Sequence, residues 1–165
     1  MKKKMKLKRK LKRTPEEAEN TLIGLFATVY SGTVDQVTKK YGKEGFEIAR
    51  KGFIDSMVKA DIEEFKKIKE KSLRAYVEWL LSVITLGHRY EVVEDKDDSV
   101  RFRFTNCPWA NFFRSIGKPE IGKFFCDADG PLAEAFNKDI KFEITKTLMD
   151  GDDHCNHHYF IEKSK

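Results

Sequence analysis

The sequence predicts an α+β domain, with N-terminal helices packed on a small antiparallel sheet of two C-terminal hairpins and a short helical insert between them. Three observations carry that expectation. Apolar residues recur at helical spacing as far as Gly87. The period then switches to alternation in "HRYEVVED" and "SVRFRFT", residues 88–95 and 99–105. Alternation returns in "IKFEITKTL" and "CNHHYFIEK" after a stretch punctuated by Gly and Pro.

The first helix starts at Thr14-Pro15-Glu16-Glu17, where a capping Thr, a Pro at the first helical position and a Glu three residues on form a capping box. Leu22, Ile23, Phe26, Val29 and Tyr30 mark one face, and Ser31-Gly32 is read as the end. A second helical region follows Thr33, is broken around Gly42 and Gly45, and continues through Phe46, Ala49, Phe53 and Met57. Asp61 is read as the cap of a third helix whose buried face runs from Ile62 to Val83 and which closes at Gly87. The first hairpin turns at residues 95–98 and points Val100, Phe102 and Phe104 inward. Short helices broken at Gly117, Pro119, Gly130 and Pro131 come next, with Cys126 ending one of them. The second hairpin turns around "MDGDDH", where Gly151-Asp152 reads as a tight turn.

Composition bounds the function. No apolar run reaches the length of a membrane-spanning helix, and no secretory signal follows the basic N-terminus, so a cytoplasmic chain with reduced cysteines is expected. The net charge of +5 is uneven: residues 1–13 hold nine of the 32 Lys and Arg and no acid. The remainder, residues 14–165, is expected to form one domain and has 23 basic against 27 acidic residues, a net of −4. The tail is expected to be a solvated extension, with nucleic acid or an anionic surface as the partner it could attract.

Chemistry concentrates near the C-terminus, where "GDDHCNHHYF" holds three of the four histidines. In a strand, Cys155, His157 and Tyr159 share one face and Asn156, His158 and Phe160 the other. Together with Cys107 and Cys126, Cys155 and His157 could form a three-Cys, one-His zinc site, although the spacings fit no zinc signature. A metal-free alternative makes Cys126 a thiolate nucleophile activated by a histidine such as His157, with Asp127 or Asp129 orienting the base. Glu143 is a general acid/base candidate if its strand face lines a pocket, and a routine surface acid if that face is solvent.

The ordered series Cys107, "FFCDAD", Asn137 and "FEITKTLMDGDDHC" resembles the L-2-amino-thiazoline-4-carboxylic acid hydrolase family over roughly residues 105–160. The ending also looks like the 4-vinyl reductase domain, a small-molecule-binding module. The resemblance implies a hydrolase that opens a thiazoline ring with water, and it points to Cys107, Cys126, Asn137, Thr145, Gly151 and Cys155. The sequence departs from the family at His157, where an aromatic residue is usual, and this raises the weight of metal binding. Asn137, Thr145 and His158 are the candidate ligand contacts. The two function classes are a hydrolase-like enzyme for a small sulfur- or nitrogen-containing molecule and a non-catalytic sensor for a small molecule or metal.

Overall fold

The computed structural model describes residues 13–162. The expectations for the basic tail lie outside the described residues, apart from Arg13, whose guanidinium donates to Thr21 Oγ1 at 3.0 Å. The elements run α1 (Pro15–Lys67), α2 (Leu73–Val83), β1 (Arg89–Lys96), β2 (Ser99–Asn106), α3 (Pro108–Ser115), α4 (Pro119–Phe136), β3 (Ile140–Glu143) and β4 (Cys155–Ile161). The strands form one antiparallel sheet in the order β1-β2-β4-β3, so the two hairpins join through β2 and β4. The α+β expectation holds.

Helix α1 begins as expected: Thr14 Oγ1 accepts from Glu17 N at 3.1 Å, and Thr14 N donates to the Glu17 carboxylate at 2.8 Å. It does not end at Ser31-Gly32, because Ser31 and Val34 continue the buried face begun by Ile23 and Ala27. The break lies at Gly42, with φ 64° and ψ −145°. There the chain reverses. Tyr30 and Phe53 would lie about 35 Å apart along a straight helix, yet their rings are 5.4 Å apart and Tyr30 Oη donates to Ala49 O at 3.2 Å. Residues 15–41 and 43–67 therefore form a helical hairpin.

An L-residue at Gly42 would be held in a backbone region that only glycine occupies freely. Gly42→Ala is expected to destabilise the chain by about 1–3 kcal/mol, read as a lower urea midpoint, although a Cβ there meets no atom within 4 Å. Asp61 lies inside α1 instead of capping a new helix. The real break falls at residues 68–72, and Ser72 caps α2 by accepting from Ala75 N at 3.2 Å.

Helix α4 runs through Gly130 and Pro131 without stopping. An interior proline removes one helical hydrogen bond, but the buried row Ile121, Phe124, Ala128, Leu132, Ala133 and Phe136 continues across it. Packing outweighs the lost bond, so Cys126 sits in mid-helix and not at a helix end.

The first hairpin matches expectation, with Val100, Phe102 and Phe104 all buried. The second differs. Strand β3 stops at Glu143 because side chains take over the backbone groups beyond it. Asn156 Oδ1 accepts from Thr145 N and Lys146 N at 2.9 and 2.7 Å, and Asp152 accepts from Thr147 N at 2.8 Å. Leu148 N donates to Cys155 Sγ at 3.2 Å, and Gly151 takes φ 96°. The tight turn expected at Gly151-Asp152 is thus part of a long, internally bonded loop.

Two apolar cores result. One packs the sheet's inner face against α2 and the C-terminal half of α4. The other packs the α1 hairpin against α3 and the N-terminal half of α4. Ile54, Met57 and Leu148 touch both.

Candidate functional site

A cavity of about 250 Å³ opens where the two cores meet. Helix α4 contributes Cys126 and Asp129, which are three residues apart and so share a helix face. Strand β4 contributes Cys155, His157 and Tyr159 from its inner face, as the alternation predicts. Cys107 enters at the start of α3, and His88 from the turn before β1. Phe104, Trp79, Trp109 and Phe125 supply much of the apolar wall.

Asp129 and His157 face each other, Oδ2 to Nδ1, at 3.8 Å. That is too long for a hydrogen bond, and it is a separation that a small polar group or water can bridge. Their side chains keep only 18% and 14% of their surface exposed. His157 is held between the rings of Phe104 and Phe142, at centroid distances of 4.9 and 5.2 Å.

Burial among these rings penalises every charge. It pushes Asp129 up to about 8, with the neighbouring Asp127 adding to the rise. It pushes His157 down to about 3, with a further contribution from His88. At neutral pH the cavity therefore holds a protonated carboxyl opposite a neutral imidazole. His88, also lowered by burial, is oriented by Thr85, whose Oγ1 lies 2.7 Å from its Nδ1.

The thiols are equally disfavoured as anions. Burial lifts Cys107 to about 11 despite backbone hydrogen bonds from Ala110 and Trp109. Cys126 is raised further, by burial first and then by Asp129 and the other two thiols. Cys155 is also raised by burial, against the hydrogen bond from Leu148. Tyr159 completes the wall with a buried hydroxyl whose neighbour is the equally buried hydroxyl of Tyr76, the two rings lying 5.4 Å apart.

The structure thus brings Cys107, Cys126, Cys155 and His157 to one cavity. Even so, among the described residues no group of three or more His, Cys, Asp or Glu side chains is arranged to hold a metal ion. The zinc expectation finds no support in this geometry.

Other candidates lie elsewhere. Glu143 is on the sheet's outer face, 65% exposed and 3.5 Å from His158 Nδ1. His158 stacks on Phe160 and meets Ser99 Oγ through Nε2 at 3.0 Å, also on that face. Asp127 turns away from the cavity and binds Arg50 Nε at 2.7 Å, tying α4 to α1. Asn137 closes α4, donating to Lys71 O at 2.6 Å and accepting from Asp139 N at 3.0 Å. Thr145 Oγ1 accepts from Asn156 Nδ2 at 2.7 Å and braces the loop. The residues that the sequence reading underweighted are Asp129, Tyr159 and His88. Asp129 was legible as the residue one helical turn after Cys126, once that segment is read as helix.

A protein-family model described as L-2-amino-thiazoline-4-carboxylic acid hydrolase matches residues 23–159. The chain belongs to this family. The match takes in the whole cavity, including Met57 of α1 and both strands of the sheet centre, and so extends well beyond the C-terminal motifs. No curated protein matches the chain.

Two solved structures resemble this member of the thiazoline-carboxylate hydrolase family in fold. One is a trafficking protein particle complex subunit 3 from Naegleria fowleri, covalently bound to palmitic acid, at 15% identity and TM-score 0.53, covering 87% of this chain and 97% of that one. The other is the phenol-responsive sensory domain of the transcription activator PoxR with phenol, at 13% identity and TM-score 0.51, covering 84% and 74%. Among the described residues no helix is long and apolar enough to cross a membrane.

Proposed function

We propose that this chain adds water across a carbon–nitrogen double bond of a small heterocycle held in the cavity, as a thiazoline-carboxylate hydrolase-like enzyme. The observation that supports this most directly is the pairing of Asp129 with His157 across a small, largely apolar space. Asp129 is the acid–base group whose pKa suits the task, since catalysis is best served by a group titrating near the working pH. It donates its proton to the ring nitrogen as water oxygen bonds to the adjacent carbon. The proton lost by that water then returns to the Asp129 carboxylate, and the tetrahedral adduct collapses to a carbonyl, breaking its ring carbon–nitrogen bond while the hydroxyl proton passes to the departing nitrogen. His157, a weak base here, positions the water or the ring through hydrogen bonds. Cys126 is placed beside the reacting atoms but is not the nucleophile, because its thiol is kept protonated.

Thiazoline-carboxylate and related cyclic amidines are the first substrates to assay. The expected kcat/KM profile is highest where Asp129 is protonated and falls through about pH 8. Asp129→Asn is expected to lower kcat by roughly 10²–10⁴ and abolish that inflection. An Asp129→Asn variant with wild-type turnover would remove Asp129 from the chemistry.

A second reading has its own support, because the cavity lining includes no Lys or Arg to meet a substrate carboxylate. On that reading the domain senses a small, largely apolar molecule, and both structural neighbours were solved with small ligands. A ligand that raises the melting temperature yet is recovered unchanged after prolonged incubation favours the sensor.

A further inference from the structure

We propose that the first half of α1 rests on an anionic lipid bilayer, with Leu22, Leu25 and Val29 entering the headgroup boundary and the basic run of residues 1–13 binding the headgroups. These three apolar side chains recur at helical spacing and are 67%, 63% and 61% exposed. The exposed Thr33 and Lys40 continue the same face toward Gly42. Phe26, at the inner edge of the strip, packs on Trp109 and Phe125 at centroid distances of 5.8 and 6.0 Å. That contact fixes the helix against α3 and α4 and holds the strip outward. Apolar surface left open in this way marks a contact site.

Charge selects the occupant. At roughly 100° per residue, no acid of residues 15–41 falls on the strip's face. Each is held within its own chain instead. Arg89 lies 3.5 Å from Glu16, Thr14 N and Leu86 N donate to Glu17 and Glu19 at 2.8 Å, and Lys118 holds Asp35 at 2.8 Å. Residues 1–13, by contrast, carry nine Lys and Arg and no acid. Their last member, Arg13, donates to Thr21 Oγ1 at 3.0 Å. Thr21 precedes Leu22 and lies one turn before Leu25, so the basic run meets the helix on the strip's side and not on the side of the cores. At the far end Lys40 Nζ lies 4.9 Å from the ring centroid of Tyr41, which is 55% exposed. Tyr and Lys are side chains that settle at headgroup level, with an apolar body inward and a polar tip in water. An uncharged apolar strip with cations at both ends is the pattern of a helix lying in the plane of a bilayer interface. Neither signal alone anchors a chain firmly, and the two together reinforce each other. A nucleic acid meets the cations but offers the strip nothing.

Co-sedimentation of the full chain with lipid vesicles is the test. Vesicles of phosphatidylcholine mixed with phosphatidylserine are expected to bind it, and vesicles of phosphatidylcholine alone are not. The double substitution L25Q/V29Q leaves the net charge unchanged and is expected to weaken binding about tenfold or more. Its circular dichroism spectrum is expected to match wild type, since both positions are exposed. K8Q/R9Q/K10Q/K12Q, which removes charge from the basic run alone, is expected to weaken binding roughly a hundredfold. A polarity-sensitive fluorophore attached through Val29→Cys is expected to shift to the blue with the anionic vesicles only. Absence of that shift, no binding to either vesicle, equal binding to both, or L25Q/V29Q binding as wild type does would each overturn the proposal. The last of these would leave a purely electrostatic tail, equally suited to nucleic acid.

Discussion

Asp129→Asn is expected to make the protein more stable than wild type, by a margin that grows as pH rises from about 4 to about 8 and then levels off. An unfolded aspartate ionises near its ordinary value, whereas the folded one holds its proton to about 8. Between those values the folded chain binds one more proton than the unfolded chain, so its stability falls as pH rises, by about 1.4 kcal/mol per pH unit. The full difference is on the order of 5 kcal/mol, a large share of the stability of a domain this size.

His157 acts with the opposite sign. Its folded value is depressed to about 3, so its contribution grows as pH rises toward 6.5 and then is constant. The two effects largely cancel below pH 6.5. Above it only Asp129 remains, and wild type is expected to lose about 2 kcal/mol between pH 6.5 and 8. Urea denaturation of both proteins at pH 5, 6.5, 8 and 9 reads this directly. A difference between variant and wild type that stays flat across that range would show that Asp129 ionises normally in the folded chain.

The native thiols are expected to alkylate at least tenfold more slowly at pH 7 than the same thiols in urea. For Cys107, raised from 9.0 to about 11, the thiolate fraction falls about 100-fold below that of a free cysteine. A more basic thiolate is intrinsically more nucleophilic and recovers roughly tenfold of this. Restricted access slows attack further, since Cys107 and Cys126 are half-buried and Cys155 is buried. Cys126 is raised more than Cys107, so it is expected to be no faster. In the same experiment Cys126→Ala is expected to retain turnover within about tenfold, as suits a wall residue. Rapid stoichiometric labelling of Cys126, blocked by substrate and matched by loss of activity, would instead establish it as the nucleophile and transfer the chemistry from Asp129 to the thiol.

These expectations rest on parts of the molecule that were unequally legible beforehand. The capping box at Thr14, the alternation of Val100, Phe102 and Phe104, and the shared face of Cys155, His157 and Tyr159 follow from local geometry. A backbone hydrogen bond or a two-residue repeat needs no distant partner, so the order of residues contains the answer. The boundaries that failed were those where distant contacts outvoted local signals. Ser31-Gly32 and Gly130-Pro131 look like stops, but each lies on a helix whose buried row continues past it. Strand β3 looks longer than it is because Asn156, eleven and ten residues after Thr145 and Lys146, takes over their backbone donors.

By itself the sequence determined the element types, the α+β class and the face on which Cys155 and His157 point. The tertiary structure decided which polar groups share a site. The continuity of α4 turns Asp129 toward His157 and Asp127 toward Arg50, although the two aspartates are two residues apart. Only the closing of two apolar cores around that pair removes water from it. Desolvation depends on everything packed around a group, which no local stretch of residues records, and it is desolvation that gives Asp129 its proton at neutral pH.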